Sequence, residues 1–162
     1  FYFFINREMW QDLKSKMNKS DIEHPKSERY IEQIRPELTW KLRQQVLYPD
    51  QRLQQMGMDE DNNGYHFAAF KDNYIVGVVS LFQKDDDFQF RKFAIDQSVQ
   101  GTGIGRQMLD YITGFAVTNG GKRLWCNARL SAIGFYLKFD FKQTGQLFSK
   151  NGFDYEILEK AI

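Results

Sequence analysis

The chain has 162 residues, of which 42% are hydrophobic and 15 are Phe, enough for one domain with a substantial core. Its 22 basic and 21 acidic residues nearly balance, which gives no electrostatic reason to expect nucleic acid or an anionic membrane as a partner. The single cysteine, Cys126, excludes an internal disulfide and suits a reducing cytosol, so a cytoplasmic location is expected.

The first 28 residues are predicted to form an N-terminal extension, whose origin and role the sequence leaves open. Its opening, FYFFI, is apolar but too short for a membrane span and lacks the basic leader of a signal peptide. A strand over residues 1–5 and a helix over 7–17 are expected within the extension. One domain is predicted over residues 29–162.

The first half of this domain reads as a strand, a helix and three further strands. A strand over 30–35 ends at Pro36, and a helix over 37–47 places Leu38, Leu42 and Val46 at helical spacing. These three residues, with Trp40 and Tyr48, are expected in the core, and the alternative is that some of them line a pocket. The polar run DEDNNG, residues 59–64, is predicted to be a loop. Strands over 66–70, 74–83 and 88–95 follow, each separated from the next by a short polar turn.

The second half contains the strongest helix of the chain, over residues 103–118, and asparagine and glycines stop it at 119–121. One apolar face of this helix is formed by Ile104, Met108, Leu109, Ile112 and Ala116. A strand over 122–127, a short helix over 131–138 with Ser131 as its N-cap, and a closing hairpin over 141–148 and 153–159 complete the domain. This order predicts an α+β fold, with a mixed, mainly antiparallel central sheet flanked by helices.

The strand over 88–95 has an unusual apolar rhythm. Phe88 and Phe90 share one parity, whereas Phe93 and Ile95 share the other. Because side chains alternate along a strand, a β-bulge near residues 91–92 would return both pairs to one face and would free backbone groups for a ligand. A strand buried on both faces is the alternative.

A glycine run, QGTGIGR, joins this strand to the long helix and could hold a phosphate. Glycines allow positive φ and close approach of backbone amides, and the helix N-terminus favours an anion. The run lacks the Gly-Lys-Ser/Thr of a Walker P-loop, and its GxGxG spacing fits a dinucleotide fingerprint poorly. A glycine-rich helix start without any ligand is the remaining alternative.

The whole run from Phe90 to the long helix resembles the acyl-CoA site of the GNAT N-acetyltransferase superfamily. The matching elements are a strand with a bulge, a short loop, and the turn Gln100-x-x-Gly103-x-Gly105 before a helix. A second match, NARLSAIGFYLKFDF at 127–141, is similar to the family's later strand, helix and Tyr-containing turn. The resemblance extends from about Tyr30 to the end of the chain and implies a GNAT-like fold.

The resemblance also implies roles for individual residues. The backbones of Phe93, Ala94 and Ile95 would pair with the pantetheine arm of acetyl-CoA, and Asn127 would contact the same arm. The pyrophosphate would be held by the amides of Gln100, Gly101, Thr102, Gly103, Ile104, Gly105 and Arg106. Tyr136 would lie near the sulfur as the catalytic general acid. The implied reaction is direct acetyl transfer to a primary amine in a ternary complex, without a metal.

The chain departs from the family pattern at two positions. Asp140 stands where the family often has Gly, and we expect the turn to survive because Asp tolerates a left-handed backbone better than most residues. No Glu lies on the strand over 88–95, where many members carry one, so no general base is assigned. Two alternatives follow: a catalytically silent acyl-CoA-binding module, or a protein that uses the glycine turn for ATP or NAD.

The remaining reactive residues predict no other chemistry. Cys126 lies in an apolar strand and is expected to be a buried, inert thiol. Neither His24 nor His66 has a second His or Cys at ligand spacing, so no metal site is predicted. The default acceptor is a small-molecule amine, and a homodimer would be ordinary for the family.

Overall fold

The computed structural model describes residues 28–162. The extension predicted over residues 1–28, with its strand and helix, therefore lies outside the described residues except for Glu28. Seven strands are present: β1 Arg29–Ile34, β2 Tyr65–Lys71, β3 Tyr74–Lys84, β4 Asp87–Ile95, β5 Arg123–Arg129, β6 Lys142–Lys150 and β7 Phe153–Ala161. No helix within the described residues has the length and apolar character needed to cross a bilayer.

Three helical regions accompany the strands. The first, α1, is continuous but irregular, with a 3₁₀ turn at Pro36–Thr39, an α-turn at Trp40–Leu42 and a π-turn at Arg43–Leu47. The long helix α2 covers Ile104–Thr118, and the short helix α3 covers Ile133–Leu137 after a 3₁₀ turn at Leu130–Ala132. Further 3₁₀ turns lie at Leu53–Gln55, Asp59–Asn63 and Gln97–Val99.

The strands form one open sheet in the order β1-β2-β3-β4-β5-β7-β6. All neighbours are antiparallel except β4 and β5, which are parallel because α2 carries the chain across between them. This arrangement confirms the predicted α+β fold with a mixed, mainly antiparallel sheet.

The larger core lies between the sheet and α2. The five predicted core residues of α2 are all buried there: Ile104, Met108, Leu109, Ile112 and Ala116. A smaller cluster on the opposite face contains Leu42 of α1 together with Ala68, Val78 and Ala94 of the sheet. The alternation of the strand residues between these two clusters explains why β2 and β3 are apolar along almost their whole length.

The bulge predicted in β4 is present. Val78 pairs with Ala94 and Ser80 pairs with Arg91, so Lys92 and Phe93 together lie opposite a single residue, Val79. As a result Phe88, Phe90, Phe93 and Ile95 all pack against the larger core despite their different parity. These four side chains therefore do not divide between two faces, although Ala94 is buried in the smaller cluster on the other face.

Three local predictions were wrong. Leu38 was expected in the core but is 41% exposed, because the first turn of α1 is 3₁₀ and shifts the helical phase. Ser131 is not an N-cap, since it lies inside the 3₁₀ turn before α3. The predicted loop over 59–64 is largely a 3₁₀ turn, and Asp61 within it is buried.

The turn at Asp140 confirms the expectation from the sequence. Asp140 has φ of 67°, so the position does require a left-handed backbone. The chain reverses there between α3 and β6, and Phe141 directly after it is buried in the larger core.

Candidate active site

Strands β4 and β5 separate soon after they begin. They pair only between Asp87–Gln89 and Arg123–Trp125, and beyond this point β5 continues its pairing with β7 alone. The edge of β4 from Phe90 to Ile95 therefore has no strand beside it on the β5 side. A free strand edge offers backbone N–H and C=O groups to an extended ligand.

The β-bulge lies within this free edge. Lys92 has φ of 53°, an uncommon conformation for a lysine. The bulge interrupts the regular pairing with β3 at Lys92 and Phe93, and a bulge leaves its extra residue without a regular ladder partner. The bulge thus lies midway along the free edge.

The glycine run begins where the free edge ends. Gly101 and Gly103 have φ of 76° and 91°, and Gly103 is the N-cap of α2. An added Cβ at either position would meet no other atom within 4 Å, so the positive φ, and not crowding, is the reason for glycine there. Backbone amides at the start of a 15-residue helix form a favourable anion site.

Side chains around the run fix its shape. Gln100 donates from Nε2 to the carbonyl of Ile95 at 3.0 Å, and Arg29 donates to the carbonyl of Thr102 at 2.9 Å. Asp96 accepts bonds from the hydroxyl and the backbone N–H of Ser98, which hold the pKa of its carboxyl below the usual value. The amide of Gln100 donates to the carbonyl of Gln97 at 3.4 Å. The side-chain bonds do not use the amides from Gly101 to Arg106, which are therefore available to a ligand.

Gly105 serves a different purpose from the two glycines before it. It lies inside α2, where a Cβ would come within 2.9 Å of the ring of Phe135 on α3. The absence of a side chain therefore lets the start of α2 pack closely against α3, the helix that carries Tyr136.

A cleft of about 200 Å³ opens between the separated strands. One wall comes from the bulge region of β4 and the opposite wall from β5, and the end of α1 and the β6–β7 turn close the far end. The lining residues include Phe90, Arg91, Lys92, Phe93, Cys126, Asn127, Ala128, Arg129 and Tyr136, together with Tyr48, Lys150, Asn151 and Tyr155.

Tyr136 forms part of the cleft floor within an aromatic cluster. Its ring lies 5.6 Å from that of Phe90, 6.3 Å from that of Phe93 and 5.9 Å from that of Phe141, measured between centroids. Its hydroxyl makes no hydrogen bond with any other described residue. Burial, and to a lesser extent Cys126 nearby, raise the pKa of the phenol, so Tyr136 keeps its proton at neutral pH.

The thiol of Cys126 is also buried, as predicted. Burial raises its pKa to about 12, so the unreactive thiol form dominates at neutral pH. Among residues 28–162, no three His, Cys, Asp or Glu side chains come together in an arrangement that could hold a metal ion.

Tyr48 was expected in the core, with the lining of a pocket as the alternative, and it lines the cleft. Lys92 donates a hydrogen bond to its hydroxyl, and the guanidinium of Arg129 lies 5.2 Å from its ring centroid. Burial raises the pKa of Tyr48, but the hydrogen bond and charge of Lys92, together with the nearby charge of Arg129, outweigh burial and give a net lowering. The sequence does not predict these two contacts, because Lys92 and Arg129 are 44 and 81 positions from Tyr48.

A buried polar network holds α1 against the sheet. Arg43 donates to both carboxylate oxygens of Asp61, at 2.8 and 3.0 Å, and to the hydroxyl of Ser80 at 2.8 Å. His66 bonds the same hydroxyl and the carbonyl of Asp61, each at 2.7 Å. Because Tyr48 directly follows α1, this network fixes the position from which its ring reaches the cleft.

The predicted site residues fall into two groups in space. Phe93, Asn127 and Tyr136 meet at the cleft, Asn127 with an exposed side chain on β5. Gln100 to Arg106 lie beyond the cleft, at the other end of the free edge. Ala94 and Ile95 connect the two groups, with the side chain of Ala94 buried against the α1 cluster and its backbone on the edge.

Comparison with known proteins identifies related sequences and structures. The family model for the acetyltransferase (GNAT) domain matches residues 30–161. A Bacillus subtilis (strain 168) protein described as the uncharacterized N-acetyltransferase YitI is 24% identical over 131 residues, which cover 75% of this chain and 88% of that protein.

Solved structures agree in fold. A crystal structure of a putative N-acetyltransferase from Lactobacillus plantarum matches with a TM-score of 0.73 at 19% identity, covering 82% of this chain and 97% of that one. A GNAT family acetyltransferase from Elizabethkingia anophelis, with acetyl-CoA bound, matches with a TM-score of 0.66 at 21% identity, covering 85% and 100%. With its fold, its separated strands and its matched residues taken together, the chain belongs to the GNAT acetyltransferase family.

Proposed function

We propose that the chain transfers an acetyl group from acetyl-CoA to a small-molecule primary amine, directly and within a ternary complex. The observation that carries the proposal is the free edge of β4, which joins an anion-binding glycine turn at one end to a cleft containing a protonated phenol at the other. Acetyl-CoA has the corresponding parts in the same order: a pyrophosphate, an extended arm and a thioester.

The binding roles follow from this match. The amides from Gln100 to Arg106 bind the pyrophosphate at the start of α2. The backbones of Phe93, Ala94 and Ile95 hydrogen-bond the pantetheine arm as a neighbouring strand would, and Asn127 contacts the arm from β5. The thioester then lies at the bulge, where backbone N–H groups are released.

The chemical roles belong to the bulge and to Tyr136. The N–H of Phe93 donates to the carbonyl oxygen as it becomes an oxyanion, when the amine nitrogen attacks. The C–S bond breaks as the intermediate collapses, and Tyr136 gives its proton to the departing sulfur. The amine loses its proton to water, and solvent reprotonates Tyr136. The step needs neither a metal nor a cysteine nucleophile.

The lining of the cleft also suggests how the amine becomes neutral without a carboxylate base. Lys92, Arg91 and Arg129 place positive charge beside the position of the acceptor. Nearby like charges disfavour an ammonium ion, so the acceptor loses its proton more easily here than in water.

The test is the substitution Tyr136→Phe. Because the hydroxyl makes no hydrogen bond with the described residues, its removal should leave the fold intact. We expect amine-dependent release of the CoA thiol to slow by about 10²–10⁴-fold while acetyl-CoA still binds. Tyr74→Phe is the matched control, since Tyr74 is the first residue of β3, is 76% exposed and should behave as wild type when changed.

Two results would count against the proposal. Unchanged turnover in Tyr136→Phe would remove Tyr136 from the mechanism. A wild-type protein that binds acetyl-CoA but acetylates no amine would instead be the catalytically silent binding module.

A cytosolic location also belongs to the proposal, and the buried, unpaired Cys126 supports it.

A further inference from the structure

The part of the cleft beyond the bulge is strongly basic, and we infer that the acceptor amine also carries an anionic group, a carboxylate or a phosphate. The inference rests on the proposed function and names the class of its acceptor. The surface in question, called the basic wall below, is formed by Tyr48, Arg91, Lys92, Arg129 and Lys150.

The position of the basic wall identifies it with the acceptor and not with the cofactor. The glycine turn, which binds the phosphates, lies at the opposite end of the free edge of β4. The basic wall is built from the end of α1, the bulge, the end of β5 and the β6–β7 turn. An amine that attacks a thioester held at the bulge must approach through this end of the cleft.

The charge of the wall is local. The whole chain has a net charge of only +1, yet four of the residues lining the cleft are Arg or Lys and none is Asp or Glu. Within the described residues, only Arg91 among these four has a carboxylate partner, Glu60 at 3.2 Å, and that pair is exposed. A cleft lined by charge of one sign concentrates ligands of the opposite sign.

Arg129 is fixed in place with donors to spare. Its guanidinium carbon lies 3.8 Å from the ring centroid of Phe153 and 5.2 Å from that of Tyr48, and Nη2 donates to the carbonyl of Leu47 at 2.9 Å. Its Nε and Nη1 donors bond no other described residue. A preorganised guanidinium with two unused donors matches the two oxygens of a carboxylate or phosphate.

Lys92 adds a second positive charge, which lies close to the ring of Tyr48. The ammonium of Lys92 lies 4.4 Å from the ring centroid of Tyr48 and donates to its hydroxyl. The charges of Lys92 and Arg129 lower the pKa of Tyr48 against the effect of its burial. A polyamine or an aminoglycoside would bring further cations into that field, whereas an amino acid would neutralise part of it.

The experiment compares amines that differ only in the anionic group. L-Amino acids are tested against their carboxamides and decarboxylated amines, and O-phosphoethanolamine against ethanolamine, with spermidine as the polycation. Turnover is measured as thiol release, and binding is measured calorimetrically on the protein saturated with CoA. The carboxylate and phosphate pairs distinguish the two sources of the anion.

We expect the anionic member of at least one pair to have about a tenfold to hundredfold higher kcat/KM than its neutral counterpart, the range for a charge-assisted hydrogen bond. Arg129→Gln should remove most of that preference, because it should lower the kcat/KM of the anionic amine at least about tenfold more than that of its neutral counterpart. Lys150→Gln changes an exposed residue without a described partner, so it should leave the fold intact and reduce the preference for the anionic amine. Lys84→Gln, outside the cleft, is the charge-matched control.

The outcomes separate this inference from the proposed function. If in every pair the neutral amine is turned over as well as or better than the anionic one, or if spermidine is the best acceptor, the inference is overturned and the acetyltransferase proposal stands. If no amine is acetylated, the proposed function fails, and the binding data decide the inference. Binding of an anionic amine that depends on Arg129 then supports it, and equal binding of both members of every pair overturns it.

Discussion

Neighbouring carboxylates at positions 60 and 61 allow one prediction to be worked out in detail. Asp61 is 6% exposed and accepts two hydrogen bonds from Arg43, which is fully buried, and one from the N–H of Met58 at 2.9 Å. Glu60 makes a single contact with Arg91, and its side chain is 57% exposed. The two pairs thus differ both in burial and in the number of hydrogen bonds that the carboxylate accepts.

The substitution Asp61→Asn should therefore be costly and Glu60→Gln should not. Loss of the Asp61 charge leaves Arg43 as an uncompensated buried cation, which destabilises by about 3–5 kcal/mol. For a domain of this size the melting temperature should fall by roughly 6–20 °C. An exposed pair contributes at most about 1 kcal/mol, so Glu60→Gln should stay within about 4 °C of wild type.

The stabilisation by Asp61 should also depend on pH, and the direction of that dependence is a second test. Burial raises the pKa of Asp61, but the bonds from Arg43 and Met58 and the Arg43 charge outweigh it, so the folded-state pKa is lowered. Its stabilisation is therefore present above the unfolded pKa of about 4 and is lost as the pH falls through the folded pKa. The stability difference between wild type and Asp61→Asn should narrow on acidification.

The assay is urea unfolding of wild type and both variants at neutral pH, repeated toward pH 3. An Asp61→Asn variant as stable as Glu60→Gln would refute the reasoning, because it would show that burial does not distinguish the two pairs. A difference that widens as the pH falls would contradict the assigned sign. In the folded variant, KM for the amine should rise more than KM for acetyl-CoA, since α1 leads to Tyr48.

Two further predictions concern left-handed positions. Gly103→Ala places a Cβ at φ of 91°, so it should cost about 1–2 kcal/mol in stability and weaken acetyl-CoA binding measured by calorimetry. The control Gly114→Ala lies within α2 at an open and ordinary helical position and should instead stabilise the protein by about 0.5–1 kcal/mol. A loss of stability and of binding in Gly114→Ala equal to that in Gly103→Ala would show that any glycine change has this effect. Asp140→Ala should be less stable than Asp140→Gly by about 1 kcal/mol in urea unfolding, since φ there is 67°, and a more stable Ala variant would exclude that strain as the reason.

The sequence predicted the parts of the fold that depend on local pattern. The face of α2 follows from apolar spacing alone, and the bulge follows from the parity change between Phe90 and Phe93. The turn at Asp140 was expected from the family resemblance, which often has Gly there, together with the tolerance of Asp for positive φ. In each case the information lies within a few neighbouring residues.

The remaining features depend on residues far apart in the chain. The partners Arg43, Asp61 and Ser80 span 37 positions, so a run of acidic residues that reads as a solvated loop contains one buried carboxylate. Leu38 was misplaced because a 3₁₀ turn changes the helical phase, which apolar spacing does not reveal. Tyr48 reads as a core aromatic until the sheet brings Lys92 and Arg129 beside it.

The site residues show the same division. The glycine turn and Tyr136 were identified through family motifs, whereas the basic wall has no motif because its residues come from α1, β4, β5 and the β6–β7 turn. Its charge also disappears in the chain average, where 22 basic and 21 acidic residues nearly cancel. The functional roles of the glycine turn, Tyr136 and the basic wall stay predictions.

The central claim is that the free edge of β4 and the glycine turn hold an acyl-CoA, and thermal stability measured separately with acetyl-CoA, CoA, ATP and NADH tests it most directly. A ligand at a hundred times its Kd adds about 2.7 kcal/mol to the folded state, which should raise the melting temperature by roughly 5–10 °C. The account predicts this shift with acetyl-CoA and CoA and none with NADH or ATP. A shift with ATP or NADH alone, or with none of the four, would contradict it.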